Sequence, residues 1–148
     1  MTVHFGTEIG LGNWKSQPHH RVIVILTIMI TSRDERLAAT GAHAAGILLS
    51  ATFLGWLIPL IMYFVNKDKS KFVAFHSMQA VLYQLVITVI GLIAGIAAFV
   101  TFGILSFLPI AVGLLGLAFG IVAAVQAFKG KTFMLPIAGD YARKIVRL

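Results

Sequence analysis

Cysteine is absent from all 148 residues, which excludes disulfides, thiolate metal sites and cysteine nucleophiles together. Acids are nearly as scarce: Glu8, Asp34, Glu35, Asp68 and Asp140 are the whole set. None falls in a long apolar stretch, so no membrane-buried carboxylate pair can share a proton or activate water. Glycine-rich phosphate loops and zinc spacings are missing as well, and no histidine base is expected at the depth of Ser50 or Ser106. The chain is therefore expected not to be an enzyme and to carry no cofactor or metal. Charge of either sign is missing altogether from Leu37 to Asn66 and again from Phe72 to Phe128. As one helix the second run would extend about 86 Å at about 1.5 Å per residue, against a hydrocarbon core of about 30 Å, so it must double back.

Hydrophobic residues make up 59% of the chain, the mean hydropathy is +0.94 and only 11% of residues are charged, too little polar surface to cover a soluble domain. An all-α integral membrane fold follows. Three spans are expected, near residues 42–65, 74–101 and 106–128. Pro59 should kink the first by removing a backbone bond. Asn66 to Lys71 forms a basic loop, and Phe102 to Pro109 turns the chain between the second and third spans. Residues 1–36 read as a poorly ordered extension ahead of a membrane domain at 37–148. Within the extension, Val22 to Ile30 is too short to cross a bilayer.

The net charge of +7 is gathered in short clusters at the ends of apolar segments, which suits anionic lipid headgroups and not nucleic acid. Counting Lys and Arg beside each span places the Lys67 loop and the C-terminus in the cytoplasm, with the N-terminus outside. After the last span, Asp140 is expected to cap a short interfacial helix in which Tyr141, Ile145 and Leu148 share one face and Arg143, Lys144 and Arg147 remain polar.

Two sets of residues stand out along the spans. His76, Gln79, Tyr83 and Gln84 lie near the cytoplasmic end of the second helix, with Gln126 near the end of the third at similar depth. Such a cluster is either a binding site or relay, or a set of amides and imidazoles that hydrogen-bond across helices. Gly91 and Gly95 with Gly116 and Gly120 form two small-residue stripes, which either face each other within the hairpin or make a homodimer seam. His43 and His76 begin successive spans from opposite sides. A straight first helix would hold them nearly a membrane thickness apart, so each is expected to bond backbone or headgroup and not a shared metal. A re-entrant first segment would reopen the question.

His43, the stretch Phe72-Val73-Ala74-Phe75-His76-Ser77-Met78-Gln79-Ala80 and the stretch Phe133-Met134-Leu135-Pro136-Ile137-Ala138-Gly139-Asp140 resemble a known family. The chain is similar to small bacterial three-helix membrane proteins of unknown function, grouped distantly with the twenty-kilodalton membrane subunit of the chloroplast inner-envelope translocon (Tic-twenty-like). The resemblance covers about Thr31 to Asp140, and its most specific part is Phe-His-x-x-Gln-Ala after a Lys-Asp-x-Ser loop. It implies a three-helix fold in a bacterial cytoplasmic membrane, and a start at Met29 that leaves residues 1–28 without a counterpart. The expected function is non-catalytic, through interaction with other membrane components or a second copy. The alternative is a subunit of a transport or protein-translocation assembly.

Overall fold

The structure, a computed structural model, describes residues 31–148. The expected extension at 1–30, the short Val22 to Ile30 run and the start at Met29 lie outside the described residues. Among these residues five α-helices follow one another: α1 Arg33–Leu48, α2 Leu57–Asn66, α3 Lys71–Val100, α4 Phe107–Phe128 and α5 Ala138–Val146. No strand occurs among the described residues.

α1 begins inside the stretch expected to be poorly ordered, because Ser32-Arg33-Asp34-Glu35 is a capping box. The Ser32 hydroxyl accepts from the Glu35 N–H at 3.2 Å and the Glu35 carboxylate accepts from the Ser32 N–H at 2.9 Å. The first expected span, 42–65, is not one helix. α1 stops at Leu48, a 3-10 turn covers Ser50–Thr52, and Phe53 takes a left-handed conformation with φ 59 before α2 starts. Hydroxyls feed the break: Ser50 donates to the Ile47 carbonyl at 2.7 Å and Thr52 to the Leu49 carbonyl at 2.8 Å. Pro59 does not kink a helix interior. It sits in the first turn of α2, where a missing N–H leaves nothing unpaired.

At about 1.5 Å per residue α1 is about 24 Å long and α2 about 15 Å, so neither crosses a hydrocarbon core of about 30 Å. They pack as a hairpin of two short helices. Glu35 at the start of α1 lies beside Ser70, the residue that caps α3, so α1 and α3 start at the same end. Thr40 faces the Ala124 carbonyl and Ile47 lies against Gly120, so α4 runs antiparallel to α1. α3 and α4 occupy the stretches expected for the second and third spans and are long and apolar enough to cross a membrane. Their connection runs from Thr101 to Ser106, with Gly103 at φ 88, and Pro109 falls within the first turn of α4.

α1 packs against both α3 and α4, α2 packs along α3, and α5 lies on the first turns of α3. The interior of the first half of α3 is tight and small-sided: Ala74, Phe75 and Met78 meet Ala142 and Val146 of α5, and Tyr83 meets Ala123 of α4. Close backbone approach of this kind replaces the hydrophobic drive that lipid does not provide between helices. Asp140 is not the cap of α5. The cap position is Ile137, and Asp140 sits within the first turn, where its charge suits the helix N-terminus. The face that α5 buries is Ala138, Ala142 and Val146, while Tyr141, Ile145 and Leu148 stay exposed.

Candidate functional site

The break in the first apolar segment brings His43 and His76 together. His43 projects from the third turn of α1 and His76 from the second turn of α3, and their rings meet edge to face with Nε2 of His43 3.2 Å from Nδ1 of His76. Both are almost wholly buried. This corrects the expectation that a straight first helix separates them. Phe72 and Phe75, one turn and one residue before His76, pack on its ring at centroid distances of 4.6 and 5.2 Å.

One imidazole nitrogen must donate and the other accept. Across the 3.2 Å contact one ring donates to the other, and His76 Nε2 is buried with no hydrogen-bond partner among the described residues. Among the described residues no third His, Cys, Asp or Glu joins the pair to make a group that could hold a metal ion.

The other members of the expected polar cluster divide by role. Gln79 spans to the segment after α4: its Nε2 donates to the Phe133 carbonyl at 3.0 Å and its Oε1 accepts from the Leu135 N–H at 3.3 Å. The carboxamide thus joins the two stretches that carry the family resemblance. Gly139 is needed there, because an added Cβ would come within 3.0 Å of Gln79 Oε1 and of the Met134 backbone. Tyr83 donates from its hydroxyl to the Gly116 carbonyl at 3.2 Å, tying α3 to α4. Gln84 lies where the re-entrant turn closes, 8% exposed, with its carboxamide against Gly46 and Gly55. Gln126 stands apart on α4, and its Oε1 is buried with no partner among the described residues. A void of about 10 Å³ joins His43, Tyr83 and Gln84, about the room one water needs.

The glycine stripes also divide. Ile87 is seated on Gly116 and Ile47 on Gly120, whereas an added Cβ at Gly91 or Gly95 would meet nothing within 4 Å. The close backbone approach lies elsewhere, at Gly46 and Gly55, where a Cβ on Gly55 would come 2.7 Å from the Gly46 carbonyl oxygen. Sequence reasoning passed over that pair because both glycines were counted inside a single span. The signal was Ser50, Thr52 and Pro59 together in mid-segment.

Over 93 residues the chain is 33% identical to a UPF0132 membrane protein of Methanocaldococcus jannaschii, a stretch that makes up 62% of this chain and 79% of the relative. No solved structure matches the chain. The likeness to a small membrane-protein family therefore holds, while the plastid translocon link is no part of what the matches show. Residues 34–142, from the first turn of α1 to the middle of α5, match the magnetosome magnetite crystal formation protein family (MamF/MmsF), and the chain belongs to that family.

Proposed function

We propose that the chain is a non-catalytic multi-pass protein of a bacterial cytoplasmic membrane that acts by binding other membrane components through a basic cytoplasmic face. One observation carries this reading. Every Lys and Arg of the described residues falls at the end where α1 and α3 start and α4 finishes: Arg33 and Arg36, the loop Lys67 to Lys71, and the stretch Lys129 to Arg147. The turns at 49–56 and 101–106 have none. Such asymmetry favours the cytoplasmic side for the basic end, and attraction to anionic headgroups of about 1 kcal/mol per basic residue holds α5 at the surface. Asp34, Glu35, Asp68 and Asp140 share that end, away from any membrane-buried chemistry.

The test is photo-crosslinking in native membranes from a reactive residue at Tyr141, with one at Ile104 in the opposite turn as the comparison. The proposal expects a defined adduct from position 141 that is lost when Arg143, Lys144 and Arg147 are replaced by Glu. Equal capture from both positions, or indifference to the charge reversal, counts against it. The family's description supports a more specific reading, in which the membrane served bounds a growing magnetite crystal. Crystal size in a magnetosome-forming host lacking its own members of the family, measured with and without this chain, tests that reading.

A further inference from the structure

Along α3 the described residues form a thick half and a thin half. From Lys71 to Gln84 the helix is packed against α1, α2 and α4, with α5 on its first turns, and nearly every residue from Val73 to Gln84 is buried. Past Gln84 only Ala94 is buried. α1 ends at Leu48, the turn through Gly55 closes against Gln84, and α4 buries nothing before Gly116, so the α1–α2 hairpin accompanies α3 and α4 along only half of their length. The remainder of α3, about 24 Å at about 1.5 Å per residue, has α4 alone beside it. With helix diameters of about 10 Å, four helices fill roughly 310 Å² of membrane plane and two fill roughly 160 Å². The basic half is about twice as wide.

The hairpin turn is built to end in hydrocarbon. Residues 49–56 carry no charge, and Phe53 and Leu54 are exposed. Backbone donors in the turn are closed on the turn itself: the Thr52 N–H donates to the Leu49 carbonyl at 3.0 Å, the Phe53 N–H to the Ser50 carbonyl at 3.3 Å and the Leu54 N–H to the Thr52 hydroxyl at 3.4 Å. Lipid imposes that condition on a turn, because it offers backbone groups no partner, whereas water does not. At the other end of the molecule α5 adds further width at headgroup level, with Tyr141 and Ile145 exposed beside Arg143 and Lys144. An interfacial helix of this kind is itself sensitive to curvature.

We propose that this taper is a curvature device, and that the surface it fits is a strongly bent bilayer whose cytoplasmic leaflet is convex. The inference rests on the reading above, in which α3 and α4 cross the membrane with the basic end in the cytoplasm. α1, α2 and α5 then add area to the cytoplasmic leaflet alone, and a bilayer accommodates such an excess by bending so that the fuller leaflet lies outside. Charge is not required for this preference, which separates it from attraction to anionic headgroups.

The experiment reconstitutes the full chain, with Asp68→Cys reporting the basic end, into vesicles of dioleoyl phosphatidylcholine by detergent removal and separates them by size. This lipid has no net charge, so headgroup attraction plays no part. A membrane-impermeant maleimide reads how many copies have the basic end outward, on the convex leaflet. The outward-to-inward ratio should rise about threefold from the largest vesicles to the smallest, the population ratio set by one RT. Replacing Gly91, Gly95 and Gly113 together by Phe widens the thin half at positions where an added Cβ meets nothing within 4 Å, and should flatten that dependence. Replacing Arg143, Lys144 and Arg147 by Glu should leave it in place. A ratio indifferent to vesicle size overturns the proposal, and the parent protein alone decides this if the triple Phe variant does not fold. An unchanged size dependence in the folded triple Phe variant, or its loss on charge reversal, also overturns it. So does cross-linking of Gly113→Cys between two copies, since a second chain would then fill the thin half. Failure of the underlying reading looks different: Asp34→Cys would be labelled from the same side as Ser106→Cys, opposite Asp68→Cys, in vesicles of every size.

Discussion

Gly46 and Gly55 allow the first apolar segment to fold back, because the backbone of one occupies the space a side chain on the other would need. Gly55→Ala should therefore lower stability by about 1–3 kcal/mol, the usual cost of forcing a methyl into a filled site. Gly95→Ala should be neutral or slightly stabilising, since nothing lies within 4 Å and alanine is the better helix former by about 1 kcal/mol. Thermal melting in detergent compares the two. Helical spacing puts Gly91 and Gly95 on one face, but only the break at Ser50–Thr52 decides which glycines meet a neighbour within the chain. Glu35 makes a second residue-scale case. The Ser70 hydroxyl first, and then the Ser32 backbone N–H, hold its carboxyl below the ordinary carboxylate range. A group whose pKa is lowered on folding stabilises the fold above its unfolded value, about 4.3, and that contribution is lost as pH falls through the folded value. Melting temperature should fall for the parent below about pH 4.3 by an amount that Glu35→Gln does not show. Parallel curves for the two proteins would remove the Glu35 and Ser70 contact from the account.

Between elements, polar side chains fix how the helices meet. His43 and His76 connect α1 to α3, and Gln79 connects α3 to the Phe133–Leu135 segment ahead of α5. Replacing one histidine by Leu leaves the other imidazole buried and short of a partner, at about 1–3 kcal/mol, whereas replacing both removes the need. The double variant His43→Leu/His76→Leu should be less destabilised than the sum of the singles, by a coupling of about 0.5–3 kcal/mol in a double-mutant cycle. Additive losses would mean that the rings touch without interacting. Gln79→Leu should free the Phe133 carbonyl and the Leu135 N–H, with faster proteolysis after Lys131 as the readout. The existence of α3 and α4 was legible from hydropathy, because long apolar runs have few alternatives in lipid. The division of α1 from α2 was not, because hydropathy does not fall where the chain turns. Nor was the cap of α5: Ile137 has φ 63 and ψ −60, a γ-turn whose Ala138 N–H donates to the Pro136 carbonyl at 2.7 Å, and no propensity rule expects a β-branched residue there.

At the scale of the molecule, two helices are long and apolar enough to cross a membrane where three spans were expected, and the paired α1 and α2 place Ser32 at the same end as Ser70 and α5. The Lys71 ammonium donates to the Val146 carbonyl at 2.9 Å, which holds the end of α5 at that level. The membrane class and the basic end were readable from composition and charge clusters. The sidedness of the first segment depended on whether it crosses. Because the sequence has no cysteine, single cysteines report sidedness without background. Asp34→Cys, Asp68→Cys and Ser106→Cys, all at exposed positions, can be probed in intact and permeabilised cells with a membrane-impermeant maleimide. Two crossings require Asp34→Cys and Asp68→Cys to be labelled only after permeabilisation, while Ser106→Cys is labelled in intact cells. Labelling of Asp34→Cys together with Ser106→Cys in intact cells, with Asp68→Cys protected, would mean that the first segment spans the bilayer and that the His43–His76 contact does not exist.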